Sequence, residues 1–221
     1  MAISPYLKLG FYEDALAKGR HRDIVGGRWD ETGRIQMRML EEVGVRPSDR
    51  FLDIGAGSLR LGCRLVPWLE AGNYWATDAS RDLMLRGYEL ELADKPRLDP
   101  ARLIEDADFA FPGIPEDIDV ALAFAVFTHL PLASLAAALH SAHKRLPHLR
   151  MLLFTVFLAP ADGFAQSHRQ KDGVVTHPDR TPFHFREADV TRLAHEAGFS
   201  FEVRSDRLPR GQVLCIARPK D

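Results

Sequence analysis

The residues of this chain whose types and spacing could do chemistry begin with Asp53, Gly55 and Gly57. They form an acid-x-Gly-x-Gly run inside and just after the short apolar stretch Phe51-Leu52-Asp53-Ile54. Apolar residues resume beyond it at helical spacing, as Leu59, Leu61, Leu65 and Val66, up to Pro67. Strand, glycine turn and helix open an α/β nucleotide-binding unit. Glycines let backbone pass close to a ligand, and the start of the following helix offers unpaired N–H groups. A dinucleotide fingerprint needs a third glycine at the position that is Arg60 here, and Gly62 comes too late. Asp53 is expected to hold the turn by accepting its N–H groups, and it would repel a pyrophosphate at close range. The turn therefore suits a ligand without phosphates, preferably a cationic one. Glycines that serve turn geometry alone are the competing reading.

Asp78 ends a second apolar run, Asn73–Asp78, about 20 residues beyond the glycine turn, where a carboxylate accepts both ribose hydroxyls. NAD enzymes share that feature, so it discriminates only together with the acid-x-Gly-x-Gly turn. Asp78 or Ser80 also reads as an N-cap for a helix over 80–92. His129 follows the nearly continuous apolar run Ile118–Phe127, which predicts a central parallel strand buried on both faces. Its carboxyl edge is where ligands bind in open α/β sheets. An imidazole there, with an unperturbed pKa near ~6.5, is the available general base. A histidine that caps or packs at the start of the helix after Pro131 is the alternative.

Several elements must position these groups. Tyr6, Leu7, Leu9, Phe11, Tyr12, Leu16 and Ala17 fit one face of a short N-terminal helix, and Gly26-Gly27 is a flexible joint. Asp30 is expected to cap a helix carrying Ile35, Met39, Leu40 and Val43, which Gly44 ends. This helical extension, residues 1–45, either lies over the cofactor cleft or docks on the sheet edge. Residues 46–221 are expected to be one α/β domain. Its further strands are expected over Arg102–Asp106 and Arg150–Leu158. Residues 159–186 read as a polar insertion, long enough to be a lid or substrate loop. Its histidines and aspartates match no compact metal-ligand spacing, so no metal is expected.

Composition bounds the rest. The 221 residues are 46% hydrophobic and 27% charged, enough for one sizeable core, and the net charge of −2 does not call for nucleic acid. The only cysteines, Cys63 and Cys215, sit in apolar patterns and read as core residues. With no charged-then-apolar leader, a reducing cytoplasm is expected. The apolar runs are far short of the ~20 residues of a membrane helix, so no membrane partner is expected.

The acid-x-Gly-x-Gly turn, the acid ending the second strand and the C-terminal order of helix, Ala197-Gly198-Phe199, strand, turn and strand together resemble the class I S-adenosylmethionine-dependent methyltransferases. His21-Arg22, Val25-Gly26-Gly27-x-Trp29, Gly33 and Gln36, with Gly57-Ser58-Leu59-Arg60, are similar to one bacterial branch of them. The resemblance implies a doubly wound, seven-stranded, mostly parallel sheet whose last strand is antiparallel. It implies S-adenosyl-L-methionine as cofactor, with Asp53, Gly55, Ala56 and Gly57 shaping the methionine end. Asp78 and Ala79 would hold the ribose, and Asp106 with Ala107 the adenine, Asp108 being the second choice for that role. Ala125 and Trp29 would complete the cofactor site, and His129 would face the methyl group. The end of the fourth strand reads Ala125-Val126-Phe127-Thr128 and lacks the Asn/Asp-Pro-Pro-aromatic motif of DNA-base and glutamine methylation. That favours a small-molecule acceptor. A cofactor-binding scaffold without catalysis and a nicotinamide-dependent oxidoreductase are the rival readings.

Overall fold

The computed structural model describes Tyr6 and residues 10–220, with backbone alone for 205–207. Leu7 and Leu9 of the expected N-terminal stripe lie outside the described residues. The chain opens with helices α1 (Phe11–Ala17), α2 (His21–Ile24) and α3 (Trp29–Glu42). There follow β1 (Phe51–Ile54), α4 (Gly62–Trp68), β2 (Tyr74–Asp78), α5 (Arg81–Leu90) and β3 (Leu103–Glu105). The second half holds β4 (Val120–Ala123), α6 (Leu132–Arg145), β5 (Met151–Val156), the short pair β6 (His168–Arg169) and β7 (Val175–Thr176), α7 (Glu187–Glu196), β8 (Phe199–Arg207) and β9 (Val213–Pro219).

Seven strands form one sheet in the order β3-β2-β1-β4-β5-β9-β8. The first five run parallel, and β9 enters antiparallel between β5 and β8. Alternation along the strands sorts side chains to two faces. Leu52, Ile54, Ala121, Leu152 and Phe154 pack under α6 and α7, against Leu135, Leu139, Val190 and Ala194. Phe51, Ala76, Val120, Leu122 and Leu153 pack under α3, α4 and α5, against Leu40, Leu65 and Met84. Helices on both faces leave the carboxyl edge of the parallel strands as the open rim, and the order reverses between β1 and β4. The doubly wound sheet with an antiparallel end, expected from the resemblance, is what the chain forms. Cys63 is half-buried on α4 and Cys215 buried on β9, both free. Among the described residues no helix is long and apolar enough to cross a membrane.

Four local expectations are corrected. The strand expected over Ile118–Phe127 ends at Ala123. Its apolarity continues because the loop that follows is itself core: Phe124 and Phe127 are buried although neither is in a strand. The helix expected straight after the glycines starts only at Gly62, because Leu59 takes a left-handed backbone and residues 57–61 form turns. Asp30 does not cap α3 but lies in its first turn, where it pairs with Arg64 at 2.6 Å; Arg28 holds the cap position. Finally, residues 159–186 are less solvated than their composition predicts. They fold around His184, which is 0% exposed, with Nδ1 2.9 Å from Thr176 Oγ1 and Nε2 3.0 Å from the Phe164 carbonyl. Burying an imidazole whose two nitrogens both have partners fixes a loop that has little sheet of its own.

Candidate active site

A cavity of about 240 Å³ opens at the carboxyl edge, where the strand order reverses. Asp53, Gly55, Ala56, Gly57, Asp78, Ala79, Asp106, Ala107, Ala125 and His129 all line it. Trp29 does not: it is buried at the start of α3, with the Arg22 guanidinium 5.1 Å from its ring. Asp108 is also absent from the lining.

The glycine turn is held differently from the expectation. The Gly55 and Ala56 N–H groups donate to the Thr77 carbonyl at 2.7 and 3.0 Å, and the Gly57 N–H donates to Asp78 Oδ2 at 2.8 Å. These donors are consumed by β2, so the turn offers them to no phosphate. Asp53 accepts from the Tyr74 hydroxyl at 2.8 Å instead of from the turn. The reason is side-chain direction: Asp53 and Phe51 share a sheet face, and the turn leaves β1 toward β2. Burial pushes the Asp53 carboxyl up to about 7, against the Tyr74 hydrogen bond, which pulls it down. Glycine is required at Gly57 because φ is +57° and a Cβ would lie 2.4 Å from a methyl of Val25.

Asp78 bridges two turns. Oδ2 holds Gly57, and Oδ1 accepts the Ser80 N–H at 3.0 Å, while Ser80 caps α5 by accepting from Leu83 N–H. Burial raises this carboxyl to about 6, with the Ser80 and Gly57 N–H groups opposing. The Ala79 N–H also favours the ionised form, and three donors leave the carboxylate about one of its four acceptor sites for a ligand. Asp106 is likewise a turn builder, accepting the N–H groups of Asp108, Ala110 and Phe111 at 3.2, 3.1 and 2.9 Å. Burial is the main cause of its raised pKa.

The two sequence patterns flanking β1 turn out to be each other's partners. Ser58 Oγ donates to the His21 carbonyl at 2.7 Å, and Arg60 Nη1 donates to the Val25 carbonyl at 2.8 Å. Glu91, at the end of α5, takes His21 Nε2 at 2.6 Å and Arg22 through Nε and Nη2 at 2.7 and 2.6 Å. These contacts lay the segment 21–27 across the glycine turn, where Val25 and Gly26 line the cavity. They also bring in lining residues that the sequence reading did not assign, among them Tyr6, Tyr12, Arg28, Thr32, Gln36, Arg60, Arg210 and Gln212. Of these, Gln36 and Arg60 belong to the patterns described above, and Arg60 also holds the third-glycine position of a dinucleotide fingerprint.

Arg60 and Gln36 carry the clearest sign of an absent partner. Arg60 is 9% exposed and Gln36 4%. Arg60 Nε and Gln36 Oε1 are buried yet meet no hydrogen-bond partner in the protein. Burial lowers Arg60 to about 10, so it stays charged at neutral pH. Both residues line the cavity, and a guanidinium and an amide there complement a carboxylate and an ammonium, the two ends of an α-amino acid.

At the β4 side Ala125 adopts φ +60°, its N–H donating to Thr155 Oγ1 at 2.7 Å, and Thr155 donates to Gln212 Oε1 at 2.6 Å. His129 Nδ1 lies 3.1 Å from Thr181 Oγ1 of the insertion, and its ring centroid lies 4.8 Å from that of Tyr6. Burial, with the Arg210 charge adding, pushes His129 down to about 4. The expected imidazole near its ordinary pKa is thus corrected: this one is neutral throughout the physiological range. Among the described residues no group of His, Cys, Asp and Glu converges as a metal site would need.

This sheet, with its rim cavity, is the fold of the class I S-adenosylmethionine-dependent methyltransferases. No protein-family model matches the chain. Among solved structures it is similar to magnesium protoporphyrin IX methyltransferase from Synechocystis PCC 6803 with bound SAM, at 18% identity over 95% of this chain and 94% of that one, with a TM-score of 0.59. The DhpI–SAH complex matches at 16% identity over 96% and 98% of the two chains, with a TM-score of 0.58. The glycopeptide N-methyltransferase MtfA matches at 17% identity over 85% and 90%, with a TM-score of 0.59.

Proposed function

We propose that this chain is a cytoplasmic S-adenosylmethionine-dependent methyltransferase that acts on an oxygen or nitrogen of a small molecule. The observation that carries the reading is that the buried Arg60 and Gln36 side chains line a cavity whose lining also includes the Asp78 and Asp106 carboxylates. In this reading Arg60 takes the cofactor's carboxylate and Gln36 its amino group. Asp78, with Ala79, accepts from the ribose hydroxyls, and Asp106, with Ala107, faces the adenine. Gly55, Ala56, Gly57 and Ala125 are the close backbone walls. Asp53 supplies negative potential beneath a cationic ligand. The extension, residues 1–45, acts as the cover, residues 46–221 as the catalytic domain, and 159–186 as the acceptor-side lid. The neighbours described as bound to SAM or SAH support the choice of cofactor.

When bound, the sulfonium supplies an electrophilic methyl for in-line displacement. The protein's part is chiefly to fix reactants in line and exclude water. The neutral His129 is able to accept a proton, or a hydrogen bond, from an acceptor at the β4 side; Thr181 and Tyr6 orient its ring. The same geometry disfavours a nicotinamide dinucleotide, because the turn's N–H groups point into β2 and Asp53 lies beneath them.

Calorimetric titration with S-adenosylhomocysteine, with NADH alongside, tests the assignment. Micromolar or tighter binding of the thioether, absent for NADH and lost in Arg60→Met, is expected. A folded protein that binds neither, or only NADH, overturns it. Binding without turnover over a broad acceptor panel would identify a scaffold instead.

A further inference from the structure

We propose that the methyl acceptor is an acid, a small molecule bearing a carboxylate or phosphate, and that Arg210 is the residue that selects it. The inference rests on the methyltransferase reading above and names the substrate class of that site.

The cavity's charges are segregated. Its carboxylates, Asp53, Asp78 and Asp106, all belong to the ends of β1, β2 and β3. Among the described residues, the lining contributed by the loops after β4 and β5, by the insertion and by the β8–β9 turn contains no carboxylate; its polar side chains are Thr128, His129, Arg210 and Gln212. The charge there is Arg210. An acceptor cation would meet a guanidinium with no compensating acid, whereas an anion would meet its complement.

Arg210 is also held at a cost. It is a non-glycine residue at φ 68°, ψ 12°, wedged between Pro209 and Gly211 in the turn that leads into β9. Left-handed backbone is unfavourable for a long side chain and persists where the surroundings demand it. Gly211 follows at φ +80°, so the turn already contains a residue suited to that region. Arginine at the strained position places a guanidinium on the cavity lip. There Nη2 donates to the Gly26 carbonyl at 2.6 Å, which ties the turn to the covering segment. No carboxylate among the described residues forms an ion pair with Arg210, in contrast to Arg28, another cation of the lining, which has Glu31 at 3.9 Å. The charge is close enough to act on the site, since it helps to keep the His129 imidazole neutral. A neutral base beside a fixed guanidinium suits an acidic acceptor: the guanidinium holds the anionic group while the imidazole faces the atom to be methylated.

The test uses acids and neutral twins that share the same acceptor atom: 4-hydroxybenzoate against 4-hydroxybenzamide, 4-aminobenzoate against 4-aminobenzamide, and 4-hydroxyphenyl phosphate against hydroquinone. Binding to the full chain loaded with S-adenosylhomocysteine is read by calorimetry, and methylation by radiolabel transfer. The expected result is at least about 10-fold tighter binding of an acid than of its neutral twin. That preference should vanish in Arg210→Gln and be partly kept in Arg210→Lys. Arg210→Gly, which relieves the left-handed backbone, keeps the fold and loses the preference. Overturning results are equal or weaker binding of every acid, including the case in which neither twin binds, or a preference that survives Arg210→Gln. Which acid binds separates a carboxylate from a phosphate. Failure of the parent protein to bind S-adenosylhomocysteine is a different outcome, because it strikes the cofactor reading before any acceptor is added.

Discussion

At the β1–β3 end of the cavity each carboxylate is tied into its own surroundings. Asp53 takes Tyr74, Asp78 takes Gly57 and Ser80, and Asp106 takes three N–H groups of its turn. At the β4 end the polar groups are few, and left-handed Ala125 and Arg210 carry the wall. The first end is preorganised by hydrogen bonds that exist without a ligand. The second is shaped by loops from the insertion, the β8–β9 turn and the covering segment. A common cofactor calls for the first kind of construction, and a particular acceptor for the second.

The largest effect should come from breaking the preorganised end. Asp78→Ala should weaken S-adenosylhomocysteine binding by about 100-fold or more, since it removes charge-assisted acceptors and also leaves the Gly57 N–H unpaired. Calorimetry on the folded variant reads this, and a loss under ~3-fold would deny Asp78 a ligand role. His129→Ala, at the other end, should lower kcat at least ~10-fold while leaving the cofactor Kd in place. Because His129 sits near 4, the kcat profile of the parent should show no rise near pH 6.5 that belongs to this residue. A rise there that disappears in the variant would mean that the imidazole is less buried during turnover.

Binding and stability should respond to pH in opposite senses. Asp53 and Asp78 have folded pKa values of about 7 and about 6, above the ordinary carboxylate range. The stability they contribute is therefore fully present below ~4 and is lost as pH rises through 6 to 7. Hydroxyl donors or a cationic ligand favour their ionised forms, so cofactor affinity should rise over the same window. Asp53→Asn should accordingly raise the Tm of the ligand-free protein by ~4 °C or more at pH 8 and little at pH 5, in a thermal melt at both values. An equal shift at both would remove ionisation as the cause. The smallest effect is expected from Glu91→Ala, which frees His21 and Arg22 and loosens the cover. A several-fold rise in cofactor Kd with a Tm change of only a few degrees would place Glu91 in positioning the cover.

Much of the preorganised end was legible in the chain. Asp53, Gly55, Gly57, Asp78 and Asp106 are local punctuation of strand ends, and local rules of turn and periodicity find such residues. Arg210 and Tyr6 were not legible as site residues, because they reach the cavity from the two ends of the chain and no spacing relates them. The apolar run over Ile118–Phe127 misled for a related reason: a buried loop and a buried strand share a composition. The insertion misled in the opposite sense, since its histidines and aspartates look solvated until His184 is seen with both nitrogens partnered.

The sequence by itself determined the alternating strands and helices, the glycine turn and the acids that end the first three strands, because each depends on neighbours a few residues apart. Only the tertiary structure decided that the turn's N–H groups are spent on β2, that burial pushes His129 down, and that Arg60 and Gln36 line one cavity. It also decided that Arg210, with left-handed backbone, stands at the β4 end of the cavity. Those properties depend on burial and on contacts between segments far apart in the chain, and both exist only once the sheet has closed around its core.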